Sequence, residues 1–198
     1  MDYNTINKNM ESEIVEIKTL ISHYLESDIE LIDKVSKYII DAPSKKIRPI
    51  LVAIIGNALN LEKEKSYKLA VIIEFIHTAK LLHDDVVDIS GKRRGKDTVN
   101  KVWGNEASVL VGDFLYSRAF QIMVEIDDME IMKILSYATN TIAKGEVLQL
   151  MCVDQVETSV DQYLKVIEYK TAALFEALCE CTAVLSGCDD NVRKNLAS

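Results

Sequence analysis

The sequence predicts an all-α fold, and three observations carry that prediction. The 198-residue chain has only 7 Gly and 2 Pro, too few turn-formers for a many-stranded sandwich or barrel. Apolar residues recur at helical spacing almost throughout. With 48% hydrophobic and 27% charged residues, the chain can bury a core of its own, which excludes a disordered or low-complexity protein.

The first amphipathic segment carries Ile14, Ile17, Leu20, Ile21, Tyr24 and Leu25 on one stripe. Asp41-Ala42-Pro43-Ser44 reads as a break, with Ser44 as the expected cap of a helix that has Pro49 in its opening turns. From Ile50 to Leu59 that helix is apolar nearly all round and is expected to be buried. A second long helix is expected from Tyr67 to about Ile89, stopping at Ser90-Gly91. The interval up to Asn105 holds Gly91, Gly95, Gly104 and several basic residues, and reads as the one long polar loop. Helical periodicity resumes over Glu106 to Glu125, Glu130 to Cys152 and Val160 to Leu185. Asp127-Asp128 and Asp154 to Thr158 are the turns between them. No composition shift or repeat divides the chain, so residues 1–198 are expected to be a single domain.

Charge and cysteine content narrow the function. The 23 basic and 31 acidic side chains give −8, which argues against a nucleic-acid coat. The longest uninterrupted apolar stretch, Ile50 to Ile55, is far short of the roughly 20 residues a bilayer span needs, and Met1-Asp2-Tyr3-Asn4 is no signal peptide. A cytoplasmic location is expected. Cys152, Cys179, Cys181 and Cys188 lack CxxC pairing and read as reduced structural thiols.

The residues suited to chemistry are two charged groups of opposite sign. In His83-Asp84-Asp85-Val86-Val87-Asp88, three carboxylates fall within five positions of a helix with apolar flanks. Helical spacing stacks Asp84 and Asp88 on one face, with Asp85 one turn before Asp88. Such oxygen ligands suit Mg²⁺, which takes one or two protein carboxylates, keeps waters and shares substrate phosphates. The alternative is a solvated acidic helix end, and Leu81-Leu82 and Val86-Val87 count against it. The basic groups are Lys45, Lys46 and Arg48 at one helix start, and Lys92, Arg93, Arg94 and Lys96 in the polar loop. Arginines and a helix start are natural phosphate donors. Together the two groups suggest a diphosphate bridged to the aspartates by magnesium.

These motifs, in this order, resemble those of the trans-type polyprenyl diphosphate synthases. Ser44-Lys45-Lys46-Ile47-Arg48-Pro49 is followed by Ile76-His77-Thr78-Ala79, by the aspartate motif and by Arg93-Arg94-Gly95. Gly104 to Phe114, Gly145-Glu146-Val147-Leu148-Gln149-Leu150 and Tyr169-Lys170-Thr171-Ala172 continue the series, so the resemblance covers about residues 40 to 187. Within the family the motifs are most like those of the bacterial octaprenyl diphosphate synthases.

The resemblance implies an isoprenoid-synthase helical bundle, a homodimer, and chain extension of an allylic diphosphate by isopentenyl diphosphate. It implies that Asp84, Asp85 and Asp88 hold Mg²⁺ on the allylic diphosphate. Arg93 and Lys170 would neutralise that leaving group, with Thr171 beside it. Lys45, Arg48, His77 and Arg94 would hold the diphosphate of isopentenyl diphosphate. Ala79, five residues before Asp84, would leave room for a long product of the kind that forms quinone side chains. Peripheral membrane contact for product release is part of the same expectation.

Two positions depart from the family pattern. Ser44 stands where a glycine is usual, and Lys80 stands one turn before Asp84, where a small residue is expected. Lys80 either pairs with Asp84 and competes with metal or points away. The family also has a second aspartate-rich motif in a late helix. Neither Asp127-Asp128 nor Asp189-Asp190 replaces it; both read as ordinary turn or helix-start charges. The chain is therefore expected to be the N-terminal part of the synthase fold, ending before the C-terminal helices, to be completed by a C-terminal segment. A partner subunit that binds prenyl diphosphate without catalysis is the alternative from another class. A terpene cyclase is weaker, because cyclases lack the isopentenyl site that Lys45, Arg48 and His77 suggest.

Overall fold

In the computed structural model, which describes residues 2–40, 42–153, 155 and 157–198, the chain is almost wholly helical. In order come α1 (Tyr3–Asn9), α2 (Glu11–Tyr24), α3 (Glu30–Ile40), α4 (Ile47–Ala58) and α5 (Lys63–Val87). A two-stranded hairpin, β1 (Lys92–Arg93) and β2 (Lys96–Asp97), precedes α6 (Val99–Trp103). Then follow α7 (Asn105–Ile126), α8 (Met129–Cys152), α9 (Val160–Ile167), a π-helical turn (Glu168–Ala172), α10 (Ala173–Ser186) and α11 (Asp190–Ala197). The all-α expectation holds. Asp41, Asp154 and Val156, which fall in two of the expected breaks, lie outside the described residues.

Helix α5 is the axis around which the others pack. Leu69, Ala70, Val71, Ile72 and Ile73 are consecutive and each 0% exposed. A helix buries five successive positions only when neighbours cover every side. Those neighbours are α2, α4, α6, α7 and α10, with α7 making the longest contact. Helix α4 is buried as expected, through Ile50, Val52, Ala53 and Ile55. Burial of this kind contributes about 1.5–3 kcal/mol per large apolar side chain, so the long central helix is fixed by its packing rather than by propensity.

Helix ends follow the sequence. The Asp128 carboxylate accepts from the N–H groups of Glu130 and Ile131 at 2.8 and 3.3 Å, and Asp189 does the same for Asn191 and Val192. The acidic pairs are therefore turn and helix-start charges, as expected: Asp128 and Asp189 cap helices, Asp190 opens α11, and Asp127 ends α7 at a φ of 55°. Ser159 and Gln162 form a capping box at the start of α9.

Three local expectations need correction. Ser44 does not cap α4: the cap position is Lys46, held in the left-handed region at φ 46°, and the Ser44 hydroxyl is buried without a partner. Helix α5 ends at Val87 rather than near Ile89, whose φ of 51° breaks the helix. The long segment from Val160 is not one α-helix, because the π-helical turn interrupts it at Glu168–Ala172. Such a turn differs in its i→i+5 hydrogen bonding over only a few residues, too short a stretch for the apolar pattern to reveal.

The polar loop is more ordered than its composition suggests. Arg94 and Gly95, both at positive φ (53° and 83°), form the two-residue turn between β1 and β2, as a right-twisted hairpin requires. The hairpin is tied down by Tyr38, whose hydroxyl donates to the Asp97 carbonyl at 2.6 Å. Thr98 donates to Ser90 at 2.6 Å, and the Asn100 amide donates to the Asp85 carbonyl at 3.0 Å. Among the described residues no helix is long and apolar enough to cross a membrane. The four cysteines are free thiols, and burial pushes Cys179 and Cys181 up from the ordinary thiol value.

Candidate active site

A cavity of about 650 Å³ lies between the start of α4, the middle of α5 and the hairpin. Lys45, Arg48, His77, Arg93, Arg94 and Asp85 all line it. Three sequence-distant segments thus bring the expected isopentenyl ligands together with one of the aspartates and its arginine. Each arrives by a definite route. The left-handed Lys46 turns the chain into α4, and Arg48 sits in its first turn. His77 is on the buried middle of α5, and the hairpin turn presents Arg94.

Arg48 is the most informative of these. Its guanidinium lies 4.5 Å above the Phe175 ring, and Nη1 donates to His77 Nε2 at 3.2 Å. A guanidinium has no acceptor, so His77 Nε2 accepts and its proton sits on Nδ1. Burial, followed by the positive charges of Arg48, Lys80, Arg94 and Lys46, pulls the His77 pKa down to about 3. The ring is neutral at pH 7. Burial also lowers the Arg48 pKa, and its Nε is a buried donor with no partner. Ser44 Oγ, lining the same cavity, is likewise buried and unpartnered. Buried donors without acceptors each cost about 1–3 kcal/mol, and an anion in the cavity would relieve that cost.

The neighbouring cations are not equivalent. Lys46 is neutralised by Glu74, Nζ to Oε1 2.6 Å, with both side chains buried. Lys45 instead lies over the Tyr3 ring at 5.5 Å, while its carbonyl accepts the Tyr3 hydroxyl at 2.8 Å. Arg94 donates from Nη1 to the Pro43 carbonyl at 3.2 Å. Lys45, Arg48 and Arg94 therefore keep positive charge at the cavity, while Lys46 does not.

The aspartates divide between two surroundings. Asp85, 5% exposed, is clasped by Arg93 through Nε and Nη2. Asp84 is not part of the cavity lining, and its Oδ2 meets Lys80 Nζ at 3.1 Å and Lys170 Nζ at 3.5 Å. Asp88 caps the end of α5 and is exposed. Among the described residues no three His, Cys, Asp or Glu side chains are arranged as a metal cage. The donor set still fits a divalent cation of the Mg²⁺ type, which needs one or two carboxylates and fills its shell with water and phosphate oxygens. The two ammonium groups already drawn to Asp84 Oδ2 show where positive charge is favoured.

Lys170 stands on the π-helical turn, which approaches α8 closely. A Cβ on Gly145 would come within 2.9 Å of the Lys170 backbone nitrogen and of Tyr169 Cβ, so only glycine fits there. The approach lets Lys170 reach Glu146 Oε2 at 2.7 Å. Burial lowers the Lys170 pKa, but the Glu146 hydrogen bond and the Asp84 and Asp88 charges outweigh it, and the net shift is upward. Thr171, on the same turn, is exposed. Ala79 lies in the core at 0% exposure and does not line the cavity.

Glu146, Tyr116, Glu74 and Phe175 were not assigned roles by sequence reasoning. Glu146 lies within the Gly145–Leu150 motif. Its acid beside an apolar run was the available signal, whereas its partners lie on α5 and the π turn. Tyr116, pushed up to about 12 by burial and then by Asp84 and Glu146, had no signal at all.

This chain belongs to the polyprenyl synthetase family, whose family model matches residues 29–198. Among its relatives, the octaprenyl diphosphate synthase of Escherichia coli (strain K12) is 43% identical over 196 residues, 99% of this chain and 61% of the relative. The all-trans-nonaprenyl-diphosphate synthase (geranyl-diphosphate specific) of Rhodobacter capsulatus is 46% identical over 168 residues, 84% of this chain and 52% of the relative. The structure of a polyprenyl synthase from Caulobacter crescentus CB15, complexed with calcium and isoprenyl diphosphate, superposes with a TM-score of 0.95. It is 40% identical, covering 99% of this chain and 60% of that one. The chain thus spans between 52% and 61% of the length of these relatives.

Proposed function

We propose that the chain is the substrate-binding part of a Mg²⁺-dependent prenyltransferase that adds isopentenyl diphosphate to an allylic diphosphate. The observation that carries this reading is the cavity in which Arg48 Nε and Ser44 Oγ are buried without partners among Lys45, His77 and Arg94. Those groups would take the isopentenyl diphosphate. Arg93, Lys170 and the aspartates would hold the allylic diphosphate, with Thr171 beside it. Mg²⁺ on Asp84, Asp85 and Asp88 would supply charge neutralisation of the departing diphosphate. This chain's own cations then act where negative charge develops, and the apolar walls keep water from the allylic carbon.

The names of the relatives support a long, octaprenyl-like product of the kind that forms quinone side chains. Ala79 enters the proposal as the chain-length position, its small methyl group leaving room for a long product along α5; the side chain itself is fully buried and outside the cavity lining. The proposal places the reaction in the cytoplasm, with peripheral membrane contact when the apolar product leaves. It is made by a homodimer or by this chain with a C-terminal complement.

Calorimetric titration with isopentenyl diphosphate tests the reading without requiring turnover. Binding that weakens about a hundredfold in Arg48→Met, as loss of a buried charged contact predicts, supports it. Equal binding by Arg48→Met and wild type contradicts it.

A further inference from the structure

Lys80 belongs to a closed ring of four charges. Its ammonium donates to Asp84 Oδ2 at 3.1 Å and lies 2.8 Å from Glu146 Oε1, the latter an ion contact rather than an aligned hydrogen bond. Lys170 meets the same two acids, Asp84 Oδ2 at 3.5 Å and Glu146 Oε2 at 2.7 Å. Acids and ammonium groups alternate around the ring, which is formally neutral. Three of the four side chains are at most 17% exposed, and Glu146 is 29% exposed. Solvent therefore screens these charges only partly.

The proposed role of Lys170 on the allylic diphosphate explains one cation. Nothing in that role requires the second. Without Lys80 the cluster would carry one net negative charge and Asp84 would keep an oxygen open to a divalent ion. With Lys80 present, a divalent ion at Asp84 meets a positive charge about 3 Å from the oxygen it must bind. The ring also supplies a way out, because Glu146 lies within ion-pair reach of the same ammonium.

We propose that Lys80 is a resident counter-ion of Asp84 that competes with the divalent cation, so that metal loading requires Lys80 to shift wholly onto Glu146. Lys80 is thus a positioning residue that sets the metal concentration at which the aspartates are occupied. The inference rests on the reading of Asp84 as a metal ligand.

The test is Mn²⁺ binding to the 198-residue chain, followed by the electron paramagnetic resonance signal of free Mn²⁺, with folding checked by circular dichroism. Lys80→Met keeps the length of the side chain and removes its charge, and Lys80→Thr is a second neutral variant. Both should bind Mn²⁺ about tenfold more tightly than wild type, the scale of one partly screened charge contact. Lys80→Arg, which restores the charge, should return affinity to the wild-type level. Unchanged or weaker binding in the neutral variants overturns the proposal, and so does tightening that Lys80→Arg shares. Asp84→Asn separates the two readings. If it abolishes Mn²⁺ binding while Lys80→Met changes nothing, only the role of Lys80 fails. If Asp84→Asn binds normally, or no variant binds Mn²⁺, the assignment of the aspartates fails with it.

Discussion

Arg93 holds Asp85 across the gap between hairpin and central helix: Nε and Nη2 both donate to Asp85 Oδ1, at 3.1 and 2.8 Å, and Nε also reaches Oδ2 at 3.2 Å. This fork aligns the polar loop on the end of α5. It also places a cation beside a carboxylate that would otherwise be buried alone.

Arg93→Met should therefore destabilise the chain by about 2 kcal/mol. That is below the 3–5 kcal/mol typical of a fully buried pair, because Arg93 is itself 37% exposed. Arg93→Lys should recover only part of the loss, since an ammonium cannot make the fork. Urea denaturation of the three proteins measures both differences.

Gly145 and Gly112 should behave differently when changed to alanine. At Gly145 the new methyl meets the Lys170 backbone nitrogen, which cannot move without displacing the π turn. At Gly112 it meets the ring of His83, a side chain that can rotate away. Gly145→Ala is expected to cost about 1–3 kcal/mol, the range of overpacking, and Gly112→Ala less. Thermal denaturation ranks them. Gly145→Ala should also weaken allylic diphosphate binding, because Lys170 is displaced.

His77 gives a pH dependence with a definite sign. Its pKa falls from an ordinary value near 6.5 to about 3 in the fold, so between those values the unfolded chain binds the extra proton. The stability from keeping His77 neutral is complete above pH 6.5 and is lost as pH falls toward 3. The slope attributable to this group is at most about 1.4 kcal/mol per pH unit. Denaturation between pH 7 and pH 5 should show a shallower loss in His77→Asn than in wild type.

Fold and site were legible in the sequence to different degrees. Helix α4 is legible because burial on every side requires the continuous apolar run from Ile50, and Asp128 and Asp189 are legible as turn or helix-start charges because few residue types can cap. The π turn is not, since the five residues Glu168–Ala172 are too few to show their altered spacing against the helical pattern on either side. Ser44 looked like a cap by residue type, yet the left-handed Lys46 took the position and left the hydroxyl to the cavity. In the site, the charged motifs were visible as motifs, while their pairing was not. Helical spacing offered Lys80 to Asp84, but Glu146 and Lys170 come from α8 and the π turn, which only tertiary packing brings near. Equally, helical spacing suggested that the aspartates share a Mg²⁺ site, and in the fold Asp84 and Asp85 turn to different cations.

The aspartates of α5 are proposed to bind an allylic diphosphate through a divalent cation, because carboxylates and substrate repel each other without one. Calorimetric titration of the chain with farnesyl diphosphate, with and without Mg²⁺, tests it most directly. Binding with Mg²⁺ that falls at least about a hundredfold when the metal is chelated, and that is lost in Asp84→Ala/Asp88→Ala, is the predicted result. Equal affinity with and without metal, or unchanged binding in the double variant, would contradict it.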